Sequence, residues 1–136
     1  MKKIISLIVI CAVFFSVFAS LPAFGLYGTA EYKPVESNLS TKYWVTAKAS
    51  SNSENVSLAM DEDNETAWIA DEKDTECYIE IDLGGAYDAI RKTEVVFISN
   101  DSIYRYKIEG SKDGNNWYIL ADRTNNTKVA GSFTDI

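Results

Sequence analysis

Between Cys77 and Leu83 every odd position is apolar (Cys77, Ile79, Ile81, Leu83), while Tyr78, Glu80 and Asp82 fall between them. A period of two is the signature of a strand with one buried face, and it does not suit the three-and-four spacing of a helix. Gly84-Gly85 closes the run. Similar patterns recur on both sides of it. Val45, Ala47 and Ala49 alternate with Thr46, Lys48 and Ser50. Lys92 to Ile98 is β-branched and continuous enough to be buried on both faces. Tyr104, Tyr106 and Ile108 share a face against Arg105, Lys107 and Glu109. Asp113-Gly114 supplies the positive-φ chemistry of a hairpin turn, and the strand beyond it, Trp117 to Ala121, is expected to point Trp117, Ile119 and Ala121 inward. Ser50 to Asn55 and Ala70 to Glu76 read as polar loops, and Val56 to Met60 as a short apolar turn. With no heptad, repeat or helix-length amphipathic stretch, the pattern predicts an all-β antiparallel architecture.

The first 25 residues are of another kind. Met1-Lys2-Lys3 is positive, Ile4 to Phe18 is apolar or small except for Ser6 and Ser16, and Ala23-Phe24-Gly25 offers small residues flanking a cut. That order is the order of a secretory signal peptide, and the apolar run of about 15 residues is shorter than the roughly 20 a membrane span needs. The expected organisation is a signal peptide over residues 1–25, a leader or linker over 26–44, and a domain over 45–136. An exported product, secreted or held at the cell surface, is the expectation.

Charge and composition narrow the function. Lys2 and Lys3 are two of the 13 basic residues, so the remainder carries 11 against 20 acidic residues, a net charge of −9. Such a surface repels a phosphate backbone, which argues against nucleic acid as a partner. The chain has no histidine. Ser-His-Asp and Cys-His nucleophile arrangements are therefore excluded, and so are zinc sites built on imidazole. Beyond the leader Cys77 is the single cysteine, and its parity with Ile79 and Ile81 predicts a core-facing thiol.

Three phrases in fixed order carry a resemblance. Asp61, Asp63, Thr66 and Trp68 stand at offsets of two, five and seven; Ile79 to Gly84 reads Ile-Glu-Ile-Asp-Leu-Gly; Ile108 to Trp117 reads Ile-Glu-Gly-Ser-Lys-Asp-Gly-Asn-Asn-Trp. Together they resemble the discoidin family, the coagulation factor five/eight C-type domains, over Val45 to Ile136. The resemblance implies an antiparallel jelly-roll β-sandwich of the galactose-binding-like kind, eight-stranded, with ligand loops at one end. It implies core positions for Trp68 and Trp117. A complete domain of this family ends in an Ala-Arg-Tyr-Val-Arg-like phrase, which the sequence up to Ile136 does not contain. The expectation is a sandwich incomplete at its C-terminal strands, with an unpaired edge.

Hard cations of the calcium class take six to eight oxygen ligands. Asp61, Asp63 and Thr66 are spaced to wrap one loop around such an ion, and the resemblance adds the backbone carbonyl of Leu58. The ion would be calcium in a structural role; the plain alternative is a solvated acidic turn. The family usually carries glycine at the position of Glu62, which implies a left-handed backbone there. For ligand contacts the polar loop Ser99-Asn100-Asp101-Ser102 running into Tyr104 and Arg105 is the best cluster, with Trp44 a separate aromatic candidate. Asn100, Asp101, Tyr104 and Arg105 would pair with sugar hydroxyls around an aromatic face, or would simply end a polar hairpin. Bacterial members of the family are mostly carbohydrate-binding modules attached to secreted glycoside hydrolases. The expected function is therefore a non-catalytic module that binds a glycan and targets an attached or partner hydrolase to it, without membrane insertion. A cell-surface adhesion module binding protein or lipid is the alternative.

Overall fold

The computed structural model describes residues 4–9, 14–20, 36–85, 87 and 90–135, the first two stretches as strand backbone. Nine strands are defined among them: β1 (Ile4–Val9), β2 (Phe14–Ser20), β3 (Glu36–Asn38), β4 (Thr46–Ala49), β5 (Tyr78–Asp82), β6 (Lys92–Val96), β7 (Tyr106–Ser111), β8 (Trp117–Asp122) and β9 (Ser132–Asp135). A 3-10 turn, Ser53–Ala59, follows β4. The strands form two antiparallel sheets, one in the order β4-β5-β1-β7-β8 and the other in the order β3-β2-β6-β9. The protein is thus an all-β antiparallel sandwich.

The alternation read in the sequence decides which faces meet. On β5, Ile79 and Ile81 are fully buried, and on β7 Tyr106 and Ile108 join them. The facing layer contributes Val95 and Phe97 from the β6 segment and Phe133 from β9. Phe97, Tyr106 and Phe133 form an aromatic triangle with ring centroids 5.7 to 6.1 Å apart. Each such pair adds about 0.5–1.5 kcal/mol to what burial alone supplies. Trp68, with no exposed surface, plugs the loop end of the core and donates its indole N–H to the Ser51 carbonyl at 2.9 Å. Cys77 is buried in the same cluster, as its parity predicts.

β1 pairs with β5 on one side and with β7 on the other, and Glu36–Asn38 pairs with β2. Two expectations need correction. β6 is not buried on both faces, since Thr93 and Val95 point inward while Lys92, Glu94 and Val96 are half-buried. Ile119 is 58% exposed and Trp117 lies outside the core. The cause of the last is a bulge: Ile108 pairs with Ala121, but Glu109 pairs with Ile119, so Leu120 is an extra residue on β8. One extra residue reverses the parity of everything before it. Trp117 and Ile119 are therefore carried to the face of Glu109. The Ala23–Gly25 cut lies outside the described residues.

Candidate functional site

The loops that leave β4 and return to β5 are laced together by side chains. Ser50 Oγ donates to Asp74 at 2.9 Å, Asn52 Nδ2 to the Ile69 carbonyl at 2.9 Å, and the Asp71 N–H to Ser51 Oγ at 2.8 Å. Between these ties runs the acidic segment. Asp61 accepts from the Asp63 N–H at 3.0 Å and from the Thr66 hydroxyl at 2.7 Å. Thr66 Oγ1 also lies 3.2 Å from the Asp63 carbonyl, and Asp63 Oδ1 accepts from the Glu65 N–H at 2.9 Å. Glu62 takes φ +63°, the left-handed backbone that the glycine of the family implies. Its carboxylate accepts from Asn38 Nδ2 at 2.7 Å, which ties the loop to β3.

These oxygens bear on the calcium reading. The Asp61 carboxylate, Thr66 Oγ1 and the Asp63 carbonyl lie close enough together to serve as adjacent ligands of one hard cation. Asp63 turns its own Oδ1 toward Glu65, and Leu58 sits in the 3-10 turn upstream. Among the described residues no group of three or more His, Cys, Asp or Glu side chains is gathered for an ion. The donor set is thus one carboxylate plus hydroxyl and carbonyl oxygens, a fit for part of a calcium shell and for no soft metal.

The Ser99–Ser102 loop follows β6. Ser99 Oγ donates to the Asp101 carboxylate, and that bond holds Asp101 below the usual carboxylate range. Asn100 rests on Gly131: a β-carbon there would stand 1.9 Å from Asn100 Oδ1. Gly131 in turn accepts from the Phe97 N–H at 2.7 Å, so the small residue lets the two segments close on each other. Tyr104 stacks flat on Phe97, with ring centroids 3.7 Å apart and planes 4° from parallel. One face of its phenol is therefore spent on the core. Arg105 is exposed.

A cavity of about 340 Å³ opens where this loop meets the acidic segment, lined by Asn64, Glu94, Ile98, Asn100, Gly131 and Ser132 among others. Of the five ligand residues nominated from sequence, Asn100 is the one that lines it. Asp101, Tyr104 and Arg105 follow Asn100 in the sequence and do not line it. Trp44 does not belong to it. β4 pairs Ala49 with Ile79 and Thr46 with Asp82, so Trp44 falls at the opposite end of β5, roughly 16 Å along the strand from Tyr78. There its indole donates to the Leu83 carbonyl at 3.1 Å and lies over Gly84, whose φ is +72°. A β-carbon on Gly84 would meet the Trp44 ring at 2.6 Å. Sequence reasoning missed Asn64, Glu94 and Ser132 as pocket residues. Glu94 carried a usable signal, as the carboxylate of β6 on the parity opposite Thr93 and Val95.

The cavity presents two amides, a carboxylate and a hydroxyl around an apolar rim, and none of its lining residues is basic. Convergent polar groups of this kind can recognise a polar ligand. A β-sandwich carrying such a pocket between its connecting loops is a binding module in class. The family model for the F5/8 type C domain matches residues 45–135, and the chain belongs to that family. Domains of this kind bind carbohydrate or lipid. Comparison with curated proteins found no match, and comparison with solved structures found none either.

Proposed function

We propose that the chain is an exported, non-catalytic carbohydrate-binding module, which holds a linked or partner glycoside hydrolase close to its glycan and so raises the local concentration of the catalytic unit. The observation that carries this reading is the lining of the cavity beside Asn100. Amide, carboxylate and hydroxyl groups are the partners of sugar hydroxyls, whereas an anionic lipid headgroup calls for Lys or Arg and would meet Glu94 instead. The Asp61–Thr66 loop supports the same pocket from its Asn64 side, and calcium bound there would hold the loop and take no part in chemistry. The N-terminal run is read as the export signal. Among the described residues no helix is long and apolar enough to cross a membrane.

The test pairs a glycan array with flotation on phosphatidylserine vesicles. Glycan binding that is lost in Asn100→Ala and Glu94→Ala, with no vesicle binding, is the expected result; vesicle binding without any glycan signal would overturn the proposal. Millimolar calcium should raise the melting temperature of the parent and leave that of Asp61→Ala unmoved. A second reading, docking on lipid or protein, draws on Ile98, Ile103 and Val129, which are 56%, 45% and 52% exposed. Ile103 and Val129 face each other across a β-bridge.

A further inference from the structure

The floor of the Asn100 cavity is set by a period of two. Glu94, Val96 and Ile98 alternate with the buried Val95 and Phe97, and Ser132 of β9 stands directly opposite Val96. Asn64 from the acidic loop and Asn100 from the loop after β6 complete the lining. Asn100 lies so close over Gly131 that no β-carbon fits between them. The floor therefore changes character along its length, from a carboxylate at Glu94, through aliphatic carbon at Val96 and Ile98, to the Asn100 amide. These polar groups are not spent on the protein. Among the described residues, the side chains of Asn64, Glu94, Asn100 and Ser132 make no hydrogen bond or ion pair, and the ion pairs that form join Lys48 to Glu80, Lys107 to Glu109 and Arg123 to Asp135. Lys92, the one base of β6, stands two residues from Glu94, roughly 7 Å along the strand, and lines a smaller hollow beside Asp135. Glu94 is thus the single charge among the described lining residues, half-buried and without a counter-charge in the cavity. A carboxylate so placed has lost part of its hydration, and a cation brought to it makes the charge-assisted bond that the fold leaves unmade.

We propose that the sugar this cavity selects carries a protonated amine: a hexosamine whose nitrogen is not acylated. Its ammonium is held by Glu94, its hydroxyls meet Asn64, Asn100 and Ser132, and its C–H face lies on Val96 and Ile98. The inference rests on the glycan reading of the cavity and names the class of sugar within it. The alternatives each leave a charge unanswered. A uronic acid sets carboxylate against carboxylate. A neutral sugar offers Glu94 only uncharged donors, and an N-acetylated sugar keeps one N–H but loses the positive charge. Glu94 is a specificity residue on this account, and Asn100 serves amino and neutral sugars alike.

Titration calorimetry on the full chain decides it, with the trisaccharides of glucosamine, N-acetylglucosamine and glucose as probes. The measurements are made at about pH 6, below the range in which an amine gives up its proton. The parent should bind the glucosamine trimer about tenfold more tightly than the other two, the worth of a hydrogen bond to a charged group over a neutral one. Glu94→Gln keeps the shape and removes the charge, so the three sugars should then bind alike, at the parent's affinity for the neutral ones. The chain carries 20 acidic residues against 13 basic ones and attracts any cation weakly. Glu72→Gln, an exposed acid outside the cavity, controls for that and should keep the parent's preference. Equal binding of the three sugars by the parent, or a preference that survives Glu94→Gln, overturns this inference and leaves the glycan reading in place. Vesicle binding without any glycan signal overturns that reading and this one with it.

Discussion

Glu62 is the one residue of the acidic loop whose backbone works against its side chain. At φ +63° an L-residue gives up about 1–2 kcal/mol relative to a right-handed or extended conformation. Two terms oppose replacing it. Glycine carries about 0.5–1 kcal/mol more unfolded-state entropy, and the 2.7 Å bond from Asn38, between exposed groups, contributes on the order of 0.5 kcal/mol. Glu62→Gly alone should therefore change stability little. Glu62→Ala loses the same hydrogen bond and keeps the left-handed strain, so the comparison between the two isolates the backbone. The glycine variant should be the more stable by about 1 kcal/mol, which for a domain near 100 residues is about 4 °C in melting temperature. Thermal denaturation followed by circular dichroism, on the full chain at one protein concentration, measures it. Equal midpoints for the two variants, or a higher one for alanine, would refute the argument that position 62 demands a glycine-like backbone.

Other outcomes follow from the same structure. Trp68→Ala should cost about 3–5 kcal/mol, since it empties a fully buried site and strips the Ser51 carbonyl of its donor; a near-parent melt in chemical denaturant would place the ring outside the core. Tyr106 is held neutral by burial first and by the neighbouring Asp135 carboxylate second, so its pKa lies above that of an unfolded tyrosine. The folded state then keeps a proton that the unfolded state releases, and stability falls as pH rises past about 10. Tyr106→Phe should show a shallower alkaline loss than the parent in melts taken from pH 9 to pH 11.5, and parallel curves would contradict that. Ile119→Thr should change stability by less than about 0.5 kcal/mol, and Ile108→Thr by more than about 2 kcal/mol, as urea titration would show, because the bulge leaves Ile119 on the solvent side.

The strands were legible wherever one face was buried and the other wet. Ile79 and Ile81 against Glu80 state the orientation of β5 outright, and Asp113-Gly114 states the β7–β8 hairpin, with Gly114 at φ +75°. The left-handed backbone at Glu62 could be anticipated from the glycine that the family carries there. Ile119 could not be read correctly, because an extra residue such as Leu120 leaves no mark in a two-residue period until the partner strand is known. The strand places of Ile4–Val9 and Phe14–Ser20 were hidden for a different reason. A run apolar at nearly every position satisfies a leader and a strand alike, and its backbone pairing to β5, β6 and β7 leaves no mark in the sequence. For the site, composition marked the Asn100 loop, but the cavity is made by Asn64, Glu94 and Ser132 arriving from three other segments. Sequence distance conceals such a meeting.

The hairpin at Lys112–Asn116 is held by Asp113, which accepts from the Asn115 and Asn116 N–H groups at 2.9 and 2.8 Å, and Gly114 donates to Ser111 Oγ at 2.9 Å. It leaves β7 at the end away from Tyr104 and the Asn100 cavity, level with Asp82 and Trp44 across the sheet. A molecule gripping an insoluble polymer through the cavity would turn this hairpin outward to the bulk liquid. A fluorophore or affinity handle grafted at Lys112 would then sit clear of the polymer, letting immobilisation and imaging proceed while the gripping end stays unobstructed.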